Sequence, residues 1–107
     1  MKQSGGVGGL GRFMEPAVLV MISLADGAKH GYAITADIQG EVGLRLGPGT
    51  LYGAIARLEE RGLIEPVASD DRRRPYRLTT SGAAALRAHL ETLERVTRTG
   101  TGRLAKQ

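Results

Sequence analysis

The sequence predicts a mainly α-helical protein with a small two-stranded β ribbon and a long C-terminal helix. Three helical segments, each ended by glycine, are followed by two short strand-like segments that flank a polar, arginine-rich connection. After the second strand, leucines recur at intervals of three and four residues. The chain has 107 residues, enough for one small domain with little room for a second.

Composition excludes several classes of protein. Hydrophobic residues make up 41% and charged residues 24%, which is typical of a globular domain. Cysteine is absent, and this excludes disulfides, cysteine-ligated zinc and thiol catalysis. The net charge is +4, and 12 of the 15 cations are arginine, which binds phosphates and guanine edges in a forked geometry. The excess favours an anionic partner, and nucleic acid above others.

The N-terminal segment has no apolar periodicity, so residues 1–12 are expected to form a flexible glycine-rich tail. Gly6–Gly11 fits the letters G-x-G-x-x-G, but no strand precedes it, so dinucleotide binding is not expected. The longest apolar stretch, Ala17–Ala25, is too short to span a bilayer. We therefore expect a cytoplasmic protein, associated with the nucleoid, without a membrane partner.

The first two helices have clear start and stop signals. Pro16 suits a first helical turn, and this all-apolar helix should run to about Ala25. A helix without a polar face must be buried on more than one side, in its own domain and against a second subunit. A second helix is predicted over Tyr32–Glu41, ended by Gly43.

The third helix should begin near Pro48 and end at Gly62, with an apolar face of Leu51, Ala54, Ile55 and Leu58. After Gly62 the spacing of the apolar residues changes from a helical to a strand-like pattern. Leu63–Ala68 and Tyr76–Leu78 are predicted strands, and alternation should turn Arg77 away from the face of its neighbours.

Thr79 is a favourable N-cap for a last helix, which should end near Thr99–Gly100 and leave 101–107 as a tail. Its leucine stripe and the all-apolar first helix cannot both be covered by one small domain, so we expect a homodimer. The predicted interface residues are Val18, Met21, Ile22, Leu86, Leu90 and Leu93.

Three helices followed by a ribbon describe a winged helix-turn-helix, whose third helix enters the DNA major groove. The order and spacing of four segments resemble the PadR family of transcriptional regulators over roughly residues 14–98. These segments are His30–Ile34, Gly47–Tyr52, Arg57–Ile64 and Arg73–Thr79.

The resemblance implies a homodimeric repressor in which the last helix packs on its counterpart and on the partner's first helix. Residues 13–79 would then bind DNA and 80–100 would form the dimerisation helix. The chain departs from the family at Gly53, where proline is common, and in having no tryptophan, which family members use to stack flat drugs. A sensor of planar drugs is therefore not expected.

The predicted DNA contacts lie on the second and third helices and on the wing. Thr50, Tyr52 and Arg57 are candidates on the third helix, beside the small residues Gly49 and Gly53 that let its backbone come close to a groove. Clustered cations suit a wing that grips the DNA backbone, and a helix N-terminus suits phosphate. The remaining candidates are Tyr32, Arg45, Arg72, Arg73, Arg74 and Arg77.

Two-fold symmetry predicts a palindromic double-stranded operator with half-sites about 34 Å apart. A protein-binding winged-helix adaptor is the alternative, and a small-molecule inducer in the dimer cleft stays open. The sequence has neither a paired-carboxylate motif nor a nucleophile elbow, so an enzyme is not expected. His30 and His89 lack ligand-spaced carboxylates, so neither a metal nor another cofactor is expected.

Overall fold

The computed structural model describes residues 15–70 and 72–107, so the predicted tail of residues 1–12 lies outside the described residues. Four helices and a two-stranded antiparallel sheet confirm the predicted fold class, a winged helix-turn-helix with a long C-terminal helix. The elements in chain order are α1 (Pro16–Leu24), α2 (Gly31–Val42), α3 (Pro48–Glu60), β1 (Ile64–Pro66), β2 (Tyr76–Leu78) and α4 (Thr80–Leu104).

Helix α1 lies at the centre of the core. It packs against α2, α3, α4 and β2, which explains why it has no polar face. Val20, Ile34 and Ala54 from the first three helices are fully buried around it. The one buried polar side chain in the described core, Ser23, donates its hydroxyl to Asp37 Oδ2 at 2.7 Å and so links α1 to α2.

The helix boundaries follow the expected signals. Pro16 and Pro48 occupy first-turn positions of α1 and α3. Helix α2 begins one residue before the predicted start, because His30 is its N-cap and accepts a hydrogen bond at Nδ1 from the Ala33 amide at 3.4 Å. It ends at Gly43, whose φ of 79° is the left-handed conformation that glycine adopts without strain.

The wing is a short ribbon in which Glu65 lies opposite Arg77 and Pro66 opposite Tyr76. Arg77 points away from the side on which Tyr76 and Leu78 are half-buried, as strand alternation predicts. Its Nε lies 2.8 Å from Glu65 Oε2 across the ribbon.

Helix α4 starts where predicted, because the Thr79 hydroxyl accepts from the Gly82 amide at 3.0 Å and donates to the Gly62 carbonyl at 2.7 Å. The predicted end near Gly100 is wrong, since the helix continues to Leu104. Glycine lowers helix propensity by only about 1 kcal/mol relative to alanine, so Gly100 does not stop a helix of this length. In the described part of the chain, no helix is long and apolar enough to cross a membrane.

Gly82 lets α4 pack closely on the wing, against Leu63 just before β1 and Leu78 of β2. A Cβ built at this position would overlap the Leu63 carbonyl group and approach Leu78 Cδ2 at 3.1 Å. We expect Gly82→Ala to lower the free energy of unfolding by about 1–3 kcal/mol, because the helix must move away from the wing. Urea unfolding measures this. Gly102→Ala is the control, since it meets nothing within 4 Å on the same helix and should be neutral or stabilising; equal losses in both would contradict the packing argument.

Candidate nucleic-acid interface

Three of the predicted DNA-contacting groups meet around one groove. The start of α2, Tyr52 of α3 and the loop between the strands line it together. We call it the wing groove, and its lining residues are His30, Gly31, Tyr32, Tyr52, Arg72, Arg73, Arg74 and Tyr76. The three arginines are exposed, and Tyr32 and Tyr52 are 76% and 55% exposed. Their side chains therefore reach solvent on one surface.

The N-terminus of α2 contributes positive potential to the wing groove. The first N–H groups of a helix have no acceptor within the helix, and its dipole is positive at this end. The His30 side chain caps the Ala33 amide, and the amides of Gly31 and Tyr32 precede it in the first turn. With three guanidinium groups and two phenol hydroxyls, this set of donors fits an anion such as a phosphate.

Gly31 allows Tyr52 to lie over the start of α2. A Cβ built on Gly31 would lie 2.5 Å from the Tyr52 hydroxyl oxygen and 2.9 Å from its ring carbon Cζ. No real side chain tolerates these distances. The absence of a side chain at residue 31 therefore leaves the space that the Tyr52 ring occupies. Sequence analysis did not find this link between two helices.

Helix α3 has the two faces that the periodicity predicts. Leu51, Ala54, Ile55 and Leu58 are buried, whereas Gly49, Thr50 and Arg57 are exposed. A Cβ built on the half-buried Gly53 would lie 3.6 Å from Arg57 Nη1, so the guanidinium extends back over Gly53 toward the start of the helix. The exposed face thus combines small residues with one long cation.

Six of the predicted contacts do not line the wing groove: Gly49, Thr50, Gly53 and Arg57 on α3, and Arg45 and Arg77 outside it. Arg45 is exposed on the connection between α2 and α3. Arg77 lies on the outer side of the ribbon, where it pairs with Glu65 and lines a different groove with Val67 and Leu78. Alternation along β2 separates Arg77 from Arg74, although the two are close in sequence.

Lys29 anchors the wing, a role that sequence analysis missed. Its backbone N–H and C=O pair with the C=O and N–H of Tyr76 at 3.0 and 2.9 Å. Its ammonium group donates to the Ser23 carbonyl and, at 2.6 Å, to Asp26 Oδ1. The Lys29 hydrogen bond and charge hold the pKa of the exposed Asp26 carboxyl below its usual value. The ribbon is therefore fixed to the end of α1 and the start of α2 together.

The predicted dimer residues divide into three groups by burial. Val18, Met21 and Leu86 are already buried within the single chain, and Ile22 and Leu93 are half-buried. Leu90 is 41% exposed. Val96 and Leu104, also on α4, are exposed as well, and Leu104 was missed because the helix was predicted to end before it.

The net positive charge lies largely in residues 95–107, at the C-terminal end, and not on the wing. Residues 95–107 contain four of the fifteen cations and no Asp or Glu, an excess equal to the net charge of +4 for the whole chain. The wing, by contrast, is basic only where its arginines cluster, at Arg72, Arg73 and Arg74. This distribution is visible in the sequence alone. Among the described residues, no group of three His, Asp or Glu side chains could hold a metal ion.

Comparison with known proteins agrees with this geometry. Residues 18–88 match the model of the PadR-like family of transcriptional regulators. The chain belongs to this family. Its members are regulators and not enzymes, which confirms both the resemblance and the expectation that the chain has no catalytic activity.

Among similar proteins, the chain is 39% identical over 77 residues to transcriptional regulator Rv3488 of Mycobacterium tuberculosis, covering 69% of this chain and 71% of that protein. It is 45% identical over 85 residues to an uncharacterized 37.1 kDa protein in transposon TN4556 of Streptomyces fradiae, covering 79% of this chain but 25% of that protein. A PadR family transcriptional regulator from Eggerthella lenta superimposes with a TM-score of 0.70 at 27% identity, covering 94% of this chain and 93% of that one.

Proposed function

We propose that this PadR-like protein is a sequence-specific, DNA-binding repressor that acts as a homodimer on an inverted-repeat operator. The observation that carries the proposal is the wing groove, where Arg72, Arg73 and Arg74 meet the N-terminus of α2 and two exposed tyrosines. These groups suit a phosphate of the DNA backbone. Membership of a family of transcriptional regulators supports it. Such a repressor would act in the cytoplasm, on the nucleoid.

In this proposal residues 13–79 bind DNA, and α3 enters the major groove. The wing groove positions the DNA backbone while Thr50 and Arg57 read base edges from the exposed face of α3. Gly49 and Gly53 let the helix backbone come close to the groove wall. Arg45 and Arg77 would contact the backbone on either side of the wing groove, Arg77 after exchanging its bond to Glu65 for one to phosphate.

Selection from a random DNA pool tests the function, because a sequence-specific dimer should select a palindrome with half-sites about one helical turn apart. Thr50→Ala and Arg57→Ala should each relax the preferred base at one position by about 1–3 kcal/mol. Competition binding with single-base operator variants measures this. A uniform loss of affinity for all sequences would make these residues backbone anchors, and absence of any selected motif would contradict the proposal.

Gly31→Ala should weaken operator binding with little change in stability. The added methyl group displaces the Tyr52 ring, which is 55% exposed and can move into solvent, so the cost falls on the wing groove and not on the core. We expect a loss of affinity of about tenfold, the equivalent of about one hydrogen bond to phosphate. Gly40→Ala on the same helix, which meets nothing within 4 Å, is the control. Unchanged binding by Gly31→Ala would remove Tyr52 from the DNA interface.

The homodimer is proposed because α4 continues past the core with apolar side chains in solvent. Leu90 and Val96 are 41% and 62% exposed, and Leu93 is half-buried. A monomer would leave this stripe in water, whereas a second copy would cover it. Binding to an inverted repeat would require this contact to hold the two α3 helices about 34 Å apart.

A further inference from the structure

The tyrosines of this chain are gathered in one place. Aromatic residues make up only 4% of the sequence, as three tyrosines and one phenylalanine, and all three tyrosines line the wing groove. Tyr32 and Tyr52 are exposed, whereas Tyr76 is half-buried and held by its two backbone hydrogen bonds to Lys29. Ring surface concentrated in a groove open to solvent indicates a ligand with a flat face.

The same groove is strongly cationic. Arg72, Arg73 and Arg74 line it, and among the described residues no Asp or Glu side chain does. Asp70, in the same loop, is exposed outside the groove. Three guanidinium groups without a carboxylate suit a ligand with at least two negative charges. A carboxylate carries only one, whereas a phosphate monoester carries about 1.5–2 at pH 7.

A phosphate of duplex DNA uses only part of what the groove offers. Guanidinium groups and tyrosine hydroxyls donate to phosphate oxygens, but the faces of the rings find no partner there, because the bases are stacked inside the duplex. A free nucleotide uses both parts, since its base stacks on a ring while its phosphate accepts hydrogen bonds. Grooves that combine cations with exposed aromatic side chains are typical of sites for unpaired nucleotides.

The size of the groove limits the ligand. Its volume is about 270 Å³. Pockets for drug-sized ligands measure about 300–1,000 Å³, so this groove suits one nucleotide and not an oligomer.

We infer that the wing groove binds a free nucleoside 5′-phosphate, with one or two phosphate groups, and that this nucleotide and operator DNA exclude each other. The inference rests on the proposed function and adds a regulatory ligand to the same surface. Tyr32 of α2 and Tyr52 of α3 provide the stacking surfaces, and the wing arginines hold the phosphate. Such a ligand occupies the DNA contacts directly, unlike an inducer in the dimer cleft.

Calorimetry without DNA tests the site itself. ADP and GDP are compared with adenosine, which has the base alone, and with pyrophosphate, which has the charge alone. We expect each nucleotide to bind at least about tenfold more tightly than adenosine or pyrophosphate, because stacking and charge act on one ligand. The nucleotides should also shift the ring signals of the tyrosines in NMR spectra. Pyrophosphate binding as tight as that of ADP would reduce the groove to an anion site and overturn the inference.

Substitutions at Tyr32 separate stacking from hydrogen bonding. Tyr32→Leu should weaken ADP binding about tenfold, whereas Tyr32→Phe keeps the ring face and should stay within about twofold of the original. Tyr32 is 76% exposed, so both variants keep the core, which circular dichroism checks. Arg74→Ala should weaken ADP binding about tenfold, and Arg61→Ala, outside the groove, is its control for charge. Equal losses in the two Tyr32 variants would overturn the stacked base.

Competition with DNA tests the exclusion. At constant ionic strength, ADP at about ten times its dissociation constant should raise the apparent dissociation constant for single half-site DNA about tenfold, and adenosine at the same concentration should not. Nucleotide binding that leaves DNA affinity unchanged would overturn the exclusion. Displacement by a single-stranded oligonucleotide but not by ADP would assign the groove to unpaired DNA and overturn the free ligand.

The two proposals fail separately. A protein that selects an operator but binds no nucleotide would overturn this inference and leave the proposed function intact. A protein that binds ADP in the groove but selects no DNA motif would overturn the proposed function, while the calorimetry would still support the nucleotide site.

Discussion

Replacing Arg73 and Arg74 with alanine should lower the affinity for each operator half-site by about two orders of magnitude. Both guanidinium groups line the wing groove, and hydrogen bonds to charged groups contribute about 1.5–3 kcal/mol each when a charged partner is present. Each phosphate contact also releases a counterion, so the plot of log affinity against log salt should become shallower by about 2 units for each half-site, or about 4 for the dimer on its operator. Titrations at several salt concentrations measure both quantities.

The matched control removes the same charge at another place. Arg61 lies at the C-cap of α3 and Arg95 on the exposed half of α4, both outside the wing groove. Arg61→Ala/Arg95→Ala therefore lowers the net charge by the same amount and should leave the salt slope within about 0.5 units of the original. A slope that changes equally in both double variants would show that total charge, and not the wing, determines binding.

Local signals in the sequence were sufficient for most of the fold. Pro16 and Pro48 fix helix starts because they need no N–H partner there, and Gly43 ends α2 because its backbone is left-handed. Strand alternation was sufficient to turn Arg77 away from Tyr76. The end of α4 was misjudged because a glycine is a weak signal against a long helix, as Gly100 shows.

The contacts that assemble the wing groove could not be read from the sequence. Lys29 pairs with Tyr76 through backbone groups, and no side-chain pattern marks such a pairing. Tyr52 meets Gly31 across a separation of 21 residues, and the steric reason appears only when the two helices are placed together. Periodicity describes faces of single elements, whereas the site lies where three elements meet.

Helix α1 separates the two proposed surfaces of the molecule. It packs against α3, which carries Tyr52 of the wing groove, and against α4, whose apolar stripe of Leu90, Leu93 and Val96 forms the seam of the proposed homodimer. Lys29, which follows α1, joins the wing to the start of α2. A dimer formed through α4 would therefore set the distance between two DNA-binding faces through a rigid, fully packed helix, and operator spacing would report on the dimer.

Leu90→Glu/Leu93→Glu should convert the protein to a monomer at micromolar concentration and lower affinity for a two-half-site operator by at least about 10³-fold. Two carboxylates in the centre of the seam would have to be desolvated on pairing. A monomer also lacks the second winged unit that a dimer holds close to the other half-site, so it loses that gain in effective concentration. Analytical ultracentrifugation and operator titrations measure the two effects. Because Leu90 is 41% exposed, Leu90→Glu alone should weaken the dimer in the same direction while each chain stays folded, which circular dichroism would show.

The control places two carboxylates on the same helix away from the seam, as Ala88→Glu/Thr99→Glu, both at exposed positions. It should remain a dimer and bind the operator as the original protein does. DNA with a single half-site separates the two proposed functions, because monomeric Leu90→Glu/Leu93→Glu keeps its wing groove and should bind that DNA as well as one winged unit of the original. Equal affinity of the seam variant for one and two half-sites, together with loss of the dimer, is the result that a two-fold repressor requires; a variant that stays dimeric would move the interface away from α4.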